Sequence, residues 1–380
     1  MSVKQQTTKA KKRARDLGLP FKGQPGPYNA ISDVAGVEVG FTTVQKSHPH
    51  LEVGVGPINT GVTAILPRGR EKNPQPVWAA TFDLNGNGEM TGSHWIDDAG
   101  YFFGPVCITN THSVGMVHHA TTKWMIQQYP DMFIAGHGWA MPVVAETYDG
   151  PTNDICGQHI NAQHVMDALN SAATGPVAEG NVGGGTGMQT YEFKGGTGTS
   201  SRVFKAAAQQ FTVGVLVQSN FGMRSECNLF GVPVGEHLTE GAWLSEVMGH
   251  EQGSIIVNIA TDAPLSSSQL KRLAKRGAMG IARTGSPGGH HSGDLVLAFS
   301  VANGLELPKQ GQPQPASFKL DVLNEEYLDS LYLAAVQAVE EAIINAMVAA
   351  ETMAVVKPAG YILPAIDHQA LAALIKQYHG

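Results

Sequence analysis

The pair Gly253-Ser254 opens the β-rich run "SIIVNIAT" and sets a hydroxyl directly after the one residue type that accepts any backbone twist. A serine bent back towards the carbonyl before it can attack that carbonyl, and a preceding glycine tolerates the strain. Cleavage at this bond would leave Ser254 as a new N-terminus. Its α-amine, with a pKa near ~8 against ~10.4 for a lysine, would be a general base beside the hydroxyl. Taken alone, however, Gly-Ser before a strand is common, and its ordinary meaning is simply a strand start.

Other stretches also invite a chemical reading. The glycine-rich "GNVGGGTGMQ" lacks the Lys-Ser/Thr ending of a phosphate loop and the spacing of a dinucleotide fingerprint. It is expected to be a structural or substrate-lining loop. "THSVGMVHH" (Thr111–His119) and His290-His291 lack the helix-borne HExxH arrangement of a metal site, and are read as surface or loop histidines. Cys107, Cys156 and Cys227 are far apart, odd in number and without zinc spacing, so they imply no disulfide framework. No metal or organic cofactor is expected.

The elements that must position Ser254 follow from periodicity. Strands are expected at Gly61–Pro67, Pro142–Gly150, Phe211–Gly222, Ser254–Ala260 and Asp294–Asn303. Helical patterns lie near Gln158–Ala173, at Ser266–Arg276 behind a Ser266/Gln269 capping box, and at Glu325–Met353 behind Asn324; a shorter helix follows Asp367. Mixed strands and helices without regular βαβ alternation point to an α+β fold. The 45 glycines cluster in Asp83–Gly92, Glu179–Ser201 and Arg283–Asp294, as expected where the backbone turns tightly around a site. Leu307–Ser317 is the best loop candidate.

Composition narrows the class. Hydrophobic residues make up 42% of the 380, enough for a substantial core. Charged residues are only 15%, which suggests surface hidden in an oligomer. A formal charge of −7 gives no support to nucleic-acid binding, and the basic run Lys9–Arg15 is read as a solvated tail or first helical turn. Without an 18-residue apolar run or a secretory signal, a cytoplasmic protein away from membranes is expected.

The chain as a whole resembles the L-aminopeptidase/D-esterase and β-peptidyl aminopeptidase family of self-processing N-terminal serine hydrolases. The motifs run in order from "RARDLGLPFKGQPGPYNAISDVAGVEVGFTTV" (Arg13–Val44) through "TGVTAILPRG", "NGNGEMTGSHWI", "GPVCITNTHSVG", "VVAETYDGPTNDI", "EGNVGGGTGM" and "GVLVQSNFG" to "GSIIVNIATDAPL" and "GIARTGSPGGHHSGDLVLAFSVAN". The resemblance implies a four-layer αββα sandwich, like N-terminal nucleophile hydrolases but with different connectivity. It implies one catalytic domain over 1–380, cut at Gly253-Ser254 into chains 1–253 and 254–380, with Ser254 as nucleophile. Ser292 and Asp294 of "SGD" would orient it, and Asn220 would donate to the oxyanion. Glu146 would hold the substrate ammonium and Tyr148 would line the pocket, though Glu146 could also be a structural acceptor and Asn220 a strand-end turn residue. The implied activity is an aminopeptidase acting on small peptides, amides and esters, as a homo-oligomer of processed units. An ornithine acetyltransferase-like transferase is the nearest alternative, disfavoured because that family uses threonine where Ser254 stands. An uncleaved binding protein on the same scaffold is the alternative from another class.

Overall fold

Strand Ser254–Thr261 is buried along its whole length because it lies inside a six-stranded sheet. The computed structural model describes residues 11–71, 74–136, 138–247, 249, 253–304 and 316–380. The sheet runs in the order Tyr101–Phe102, Val77–Asp83, Gly293–Ser300, Ser254–Thr261, Gln209–Asn220, Gly196–Ala206. Ser254–Thr261 pairs parallel with Gly293–Ser300 and antiparallel with Gln209–Asn220. A parallel neighbour needs a crossover, and helix Ser267–Ala282 supplies it.

Side-chain alternation divides the core. Ile255, Val257 and Ile259 pack outwards on Leu270 and Leu273 of that helix and on Leu331 and Val339 of helix Leu328–Val348. Ile256 and Ala260 point the other way, onto Ile65, Ile108 and Ala145 of a second sheet. That sheet has four strands, in the order Glu38–Lys46, Ile58–Leu66, Val106–Asn110, Val143–Thr147. Its outer residues Val62, Ala64, Cys107 and Val144 meet Val117, Trp124 and Val165 of helices Val114–Gln128 and Ala162–Asn170. The layers are therefore helix, sheet, sheet, helix, the expected αββα sandwich. Each fully buried Ile or Val contributes about 1.5–3 kcal/mol of apolar transfer to it.

The expected elements are present with shifted ends. Ser266 caps its helix, with Gln269 N–H on its Oγ at 3.3 Å and its own N–H on Gln269 Oε1 at 3.2 Å. That helix continues past Arg276 to Ala282. Asn324 caps a single 3-10 turn, Glu325–Tyr327, and the helix behind it stops at Val348. Segment Glu325–Val348 is long and apolar enough to cross a membrane by composition, yet 83% of its apolar window is buried inside the protein, as befits a core helix.

Three readings need correction. Part of the glycine-rich stretch Glu179–Ser201 is strand Gly196–Ala206, not loop. Its glycines serve packing, since a Cβ on Gly198 would lie 1.9 Å from the Ala342 carbonyl of the covering helix. Thr111–His119 is a surface stretch, as expected, but no loop, for Val114 starts a helix that carries His118 and exposed His119. Of the basic run, Lys9 and Ala10 lie outside the described residues; Arg13 and Arg15 belong to the expected helical turn, the 3-10 turn Ala14–Leu17 capped at Arg13, and not to a solvated tail. Arg13 pairs with Glu179 at 2.7 Å and Arg15 with Glu341 at 2.8 Å. Buried Arg202 meets Glu341 from the other side at 2.6 Å. Burial pushes the Glu341 carboxyl up, but the two arginines and Asn29 outweigh it and leave it below its ordinary value. The loop candidate Leu307–Ser317 falls almost wholly outside the described residues.

Candidate active site

Ser254 begins its strand at the sheet end where three chain segments meet. It stands opposite Asn220 on one neighbour and opposite Gly293 on the other. Ser254 Oγ donates to the Gly253 carbonyl oxygen at 2.7 Å, and the Gly293 N–H donates to the same oxygen at 3.3 Å. The hydroxyl thus sits beside the bond it would cut, with a backbone donor already on the oxygen that would gain charge. Both glycines are forced by space. A Cβ on Gly253 would lie 2.5 Å from the Asn220 carbonyl oxygen, and one on Gly293 would lie 2.4 Å from that of Asn87.

Ser292 and Asp294 flank Gly293 and are fully buried. Ser292 Oγ donates to Asp294 Oδ1 at 2.6 Å, and Asn85 Nδ2 donates to Oδ2 at 3.1 Å. Burial raises the Asp294 pKa, while Ser292, Asn85 and the Ile255 N–H hold it back. A buried carboxylate of raised basicity is a better proton acceptor than an exposed one. Asn220 is buried at its strand end and doubly engaged: Oδ1 accepts from Gln189 N–H at 2.9 Å, and Nδ2 donates to the Tyr148 carbonyl at 3.2 Å. An amide nitrogen carries two hydrogens, so this bond leaves a second donor on Asn220.

A cavity of about 410 Å³ opens in front of Ser254, lined by Asn87, Thr111, Glu146, Tyr148, Gly253, Ser254 and His291. Glu146 reaches it from strand Val143–Thr147 and is 4% exposed. Its carboxylate accepts from Glu89 N–H at 3.0 Å and from the Thr111 hydroxyl. Burial pushes the Glu146 pKa up, against those two donors. Tyr148 forms a half-exposed wall, and Gly150 leaves room for its ring, since a Cβ there would lie 2.3 Å from it. Behind it, buried Asp149 accepts from Asn153 at 2.9 Å and Asn110 at 3.1 Å, and burial still raises its pKa to about 6.

The structure therefore brings Ser254, Glu146 and Tyr148 to one cavity, with Ser292, Asp294 and Asn220 packed beside Ser254. Asn85, Asn87, Thr111 and the Gly293 N–H were missed by sequence reasoning. Asn85 and Asn87 lie in a glycine cluster and in the motif "NGNGEMTGSHWI", which carries the resemblance without giving either residue a role. His291 is indeed a loop histidine, yet it lines the cavity. The loop "GNVGGGTGMQ" does not line it; Gly183–Gly187 is a buried 3-10 turn packed between the sheets. Among the described residues, converging metal-ligand atoms occur only at His48, His50 and Glu52, none of which lines the cavity.

Comparison with known proteins fits this geometry. The chain is 48% identical over 379 residues to a beta-peptidyl aminopeptidase of Sphingosinicella microcystinivorans, covering 96% of this chain and 92% of that one. The solved structure of the L-aminopeptidase D-Ala-esterase/amidase from Ochrobactrum anthropi, described as a prototype for the serine aminopeptidases and a variant of the Ntn hydrolase fold, superposes with a TM-score of 0.90 at 52% identity, covering 97% of this chain and 99% of that one. A Burkholderia beta-aminopeptidase superposes with a TM-score of 0.86 at 43% identity, over 96% and 99% of the two chains. Residues 29–359 match the family described as Peptidase family S58, and the chain belongs to that family.

Proposed function

We propose that the protein is a self-processing serine aminopeptidase that cuts its own Gly253–Ser254 bond and then releases N-terminal residues from small peptides, amides and esters. The observation that carries this is the Ser254 hydroxyl at 2.7 Å from the Gly253 oxygen, with the Gly293 N–H on that oxygen and Glu146 across the cavity. In the uncut chain Ser254 Oγ attacks the Gly253 carbon, its proton passing towards Asp294 through Ser292. The C–N bond breaks as that proton is passed on to the departing Ser254 nitrogen, and water hydrolyses the resulting ester to free the Gly253 carboxylate and the Ser254 Oγ–H. In the mature enzyme that amine takes the Oγ proton as Oγ attacks the substrate carbonyl. The oxyanion is met by Gly293 N–H and the second hydrogen of Asn220 Nδ2. The departing amine receives the proton, and water resolves the acyl-enzyme.

Glu146 holds the substrate's ammonium in this reading, because a charge buried in that cavity needs a carboxylate facing it. The enzyme is tested by denaturing electrophoresis and N-terminal sequencing. Wild type should give chains 1–253 and 254–380, the second beginning Ser-Ile-Ile-Val, and Ser254→Ala should stay whole. A different cut, or a variant that still splits, refutes the assignment of Ser254.

A second reading, preference for β-amino residues, is favoured by the relatives named as beta-peptidyl aminopeptidases. One methylene is worth only ~1–3 kcal/mol in such a pocket. Release rates from matched L-alanyl, D-alanyl and β-alanyl amides decide it. We further infer a homo-oligomer of processed units, supported by the low charge content and by exposed Ile134 and Trp139. Free Cys107, Cys156 and Cys227 support placement in a reducing cytoplasm. Light scattering of the purified enzyme and fractionation of the source cells test these two points.

A further inference from the structure

We propose that His48, His50 and Glu52 form a binding site for one divalent transition-metal ion of the zinc type, outside the active site. The three residues lie on the connection between strands Glu38–Lys46 and Ile58–Leu66. Their ligand atoms all fall within 4.8 Å of one another. His48 Nε2 is 3.8 Å and His50 Nε2 3.9 Å from the same carboxylate oxygen, Glu52 Oε2. Those distances are too long for hydrogen bonds. They are a few tenths of an ångström above the ~3.3–3.4 Å that separates two ligands of an ion with ~2.0–2.1 Å bonds at tetrahedral angles.

His48 Nδ1 lies 2.6 Å from the His50 carbonyl oxygen, which can only accept, so Nδ1 carries the hydrogen. Nε2 is then the ring nitrogen that faces Glu52. A backbone carbonyl holding the remote ring nitrogen is the usual outer partner of a metal-bound histidine. Pro49 restricts the backbone between the two rings, which meet edge to face at 4.8 Å. Glu52 is fixed by its own backbone: its N–H donates to Gly56 O at 2.8 Å, and its carbonyl accepts from Val55 and Gly56. Two imidazoles and one carboxylate, with solvent for the fourth position, select Zn²⁺, Co²⁺ or Ni²⁺ over the all-oxygen preferences of Mg²⁺ and Ca²⁺.

The ion would cross-link this connection, which is itself pinned beside the cavity wall. Gly54 N–H donates to Asp154 Oδ2 at 2.7 Å, Asp154 N–H to Pro57 O at 2.8 Å, and Asn59 N–H to Asn153 Oδ1 at 2.9 Å. Asn153 in turn holds Asp149, next to Tyr148. The role is structural, and no step of the chemistry passes through it.

The test is calorimetric titration of the untagged full chain with Zn²⁺, with Mg²⁺ as control, alongside His48→Gln, His50→Gln, Glu52→Gln and the triple variant. The expected result is one Zn²⁺ per chain, roughly tenfold or more weaker in each single variant and lost in the triple. Co²⁺ should give the intense visible absorption of a four-coordinate site, and Zn²⁺ should raise the Tm of wild type but not of the triple variant. Wild type that takes up no Zn²⁺, that binds it no better than the triple variant, or that binds Mg²⁺ equally overturns the proposal. The three side chains project from a surface connection, so circular dichroism of the variants should match wild type.

Discussion

Glu146→Gln isolates the charge proposed to hold the substrate ammonium beside Ser254. The substitution keeps the side-chain volume, and the surrounding donors survive it. Glu89 N–H can still donate to an amide oxygen, and the Thr111 hydroxyl can turn to accept from an amide nitrogen. Burial already pushes the Glu146 carboxyl above its ordinary value of 4.5, so its ionised form costs stability at pH above that raised value. Removing the charge should therefore leave Tm unchanged or slightly higher near neutral pH. Substrate binding behaves oppositely, because an ammonium placed in the cavity loses its only proposed counter-charge. Losing one partner of a buried, hydrogen-bonded pair costs about 2–5 kcal/mol, and this cavity is open on the Tyr148 side, which argues for about 2–4. At 1.4 kcal/mol per decade that is roughly a 30- to 1,000-fold fall in kcat/KM. The assay compares L-alanyl p-nitroanilide with its lactoyl analogue, in which a hydroxyl replaces the ammonium. Wild type should prefer the free amine strongly, and Glu146→Gln should lose that preference while still processing at Gly253. The wild-type kcat/KM for the amine should also fall on acidification as Glu146 gains its proton, beginning at higher pH than an ordinary glutamate would, and the variant should lack that component. An equal fall on both substrates, or no fall on either, would show that Glu146 supports the fold and that the ammonium is recognised elsewhere.

Asn220→Ala should lower kcat roughly a hundredfold or more with little change in KM, and slow maturation as well; normal turnover would reduce Asn220 to its bonds with Gln189 and Tyr148. If the Ser254 amine is the base, kcat/KM should rise with pH over about 7–8.5, and a flat profile from about pH 5 to 9 with an intact fold excludes it. Asp294→Asn should block or greatly slow self-cleavage, measured as the fraction of intact chain over time, because Ser292 loses a carboxylate acceptor at 2.6 Å; normal processing would remove the pair from the mechanism. Gly198→Ala should destabilise by more than about 3 kcal/mol, seen in urea unfolding, since its Cβ would need the Ala342 carbonyl to move from 1.9 Å; a change under about 1 kcal/mol would mean that the long helix is not seated as described.

Some of this protein is written in short stretches of chain. The Ser266/Gln269 capping box, Asn324 and Asp367 close hydrogen bonds within three residues, so their helices are legible from local residue types alone. The ends of the same helices are less legible, because where Ser267–Ala282 stops depends on what it packs against. The Gly253-Ser254 pair could be read locally as capable of self-attack, and the motif resemblance chose that reading over a plain strand start. What the local chain could not contain is the partner on the Gly253 oxygen: Gly293 N–H arrives from 40 residues away because two parallel strands fall into one register. Glu146 faces Ser254 only because the second sheet stacks on the first, and Thr111 of a 3-10 turn reaches the same cavity with Asn87 and His291 of separate loops. The glycines of Gly196–Ser201 read as loop by composition, yet pairing with Gln209–Asn220 makes them strand, and at Gly198 the close approach of helix Leu328–Val348 leaves no room for a side chain. Arg15 reads as part of a solvated tail or first helical turn until Glu341 is seen buried between it and Arg202. Caps, turns and alternation act over a few residues and so survive in sequence order. Register, layer stacking and the pairing of buried charge arise between distant segments, and only the folded chain determines them.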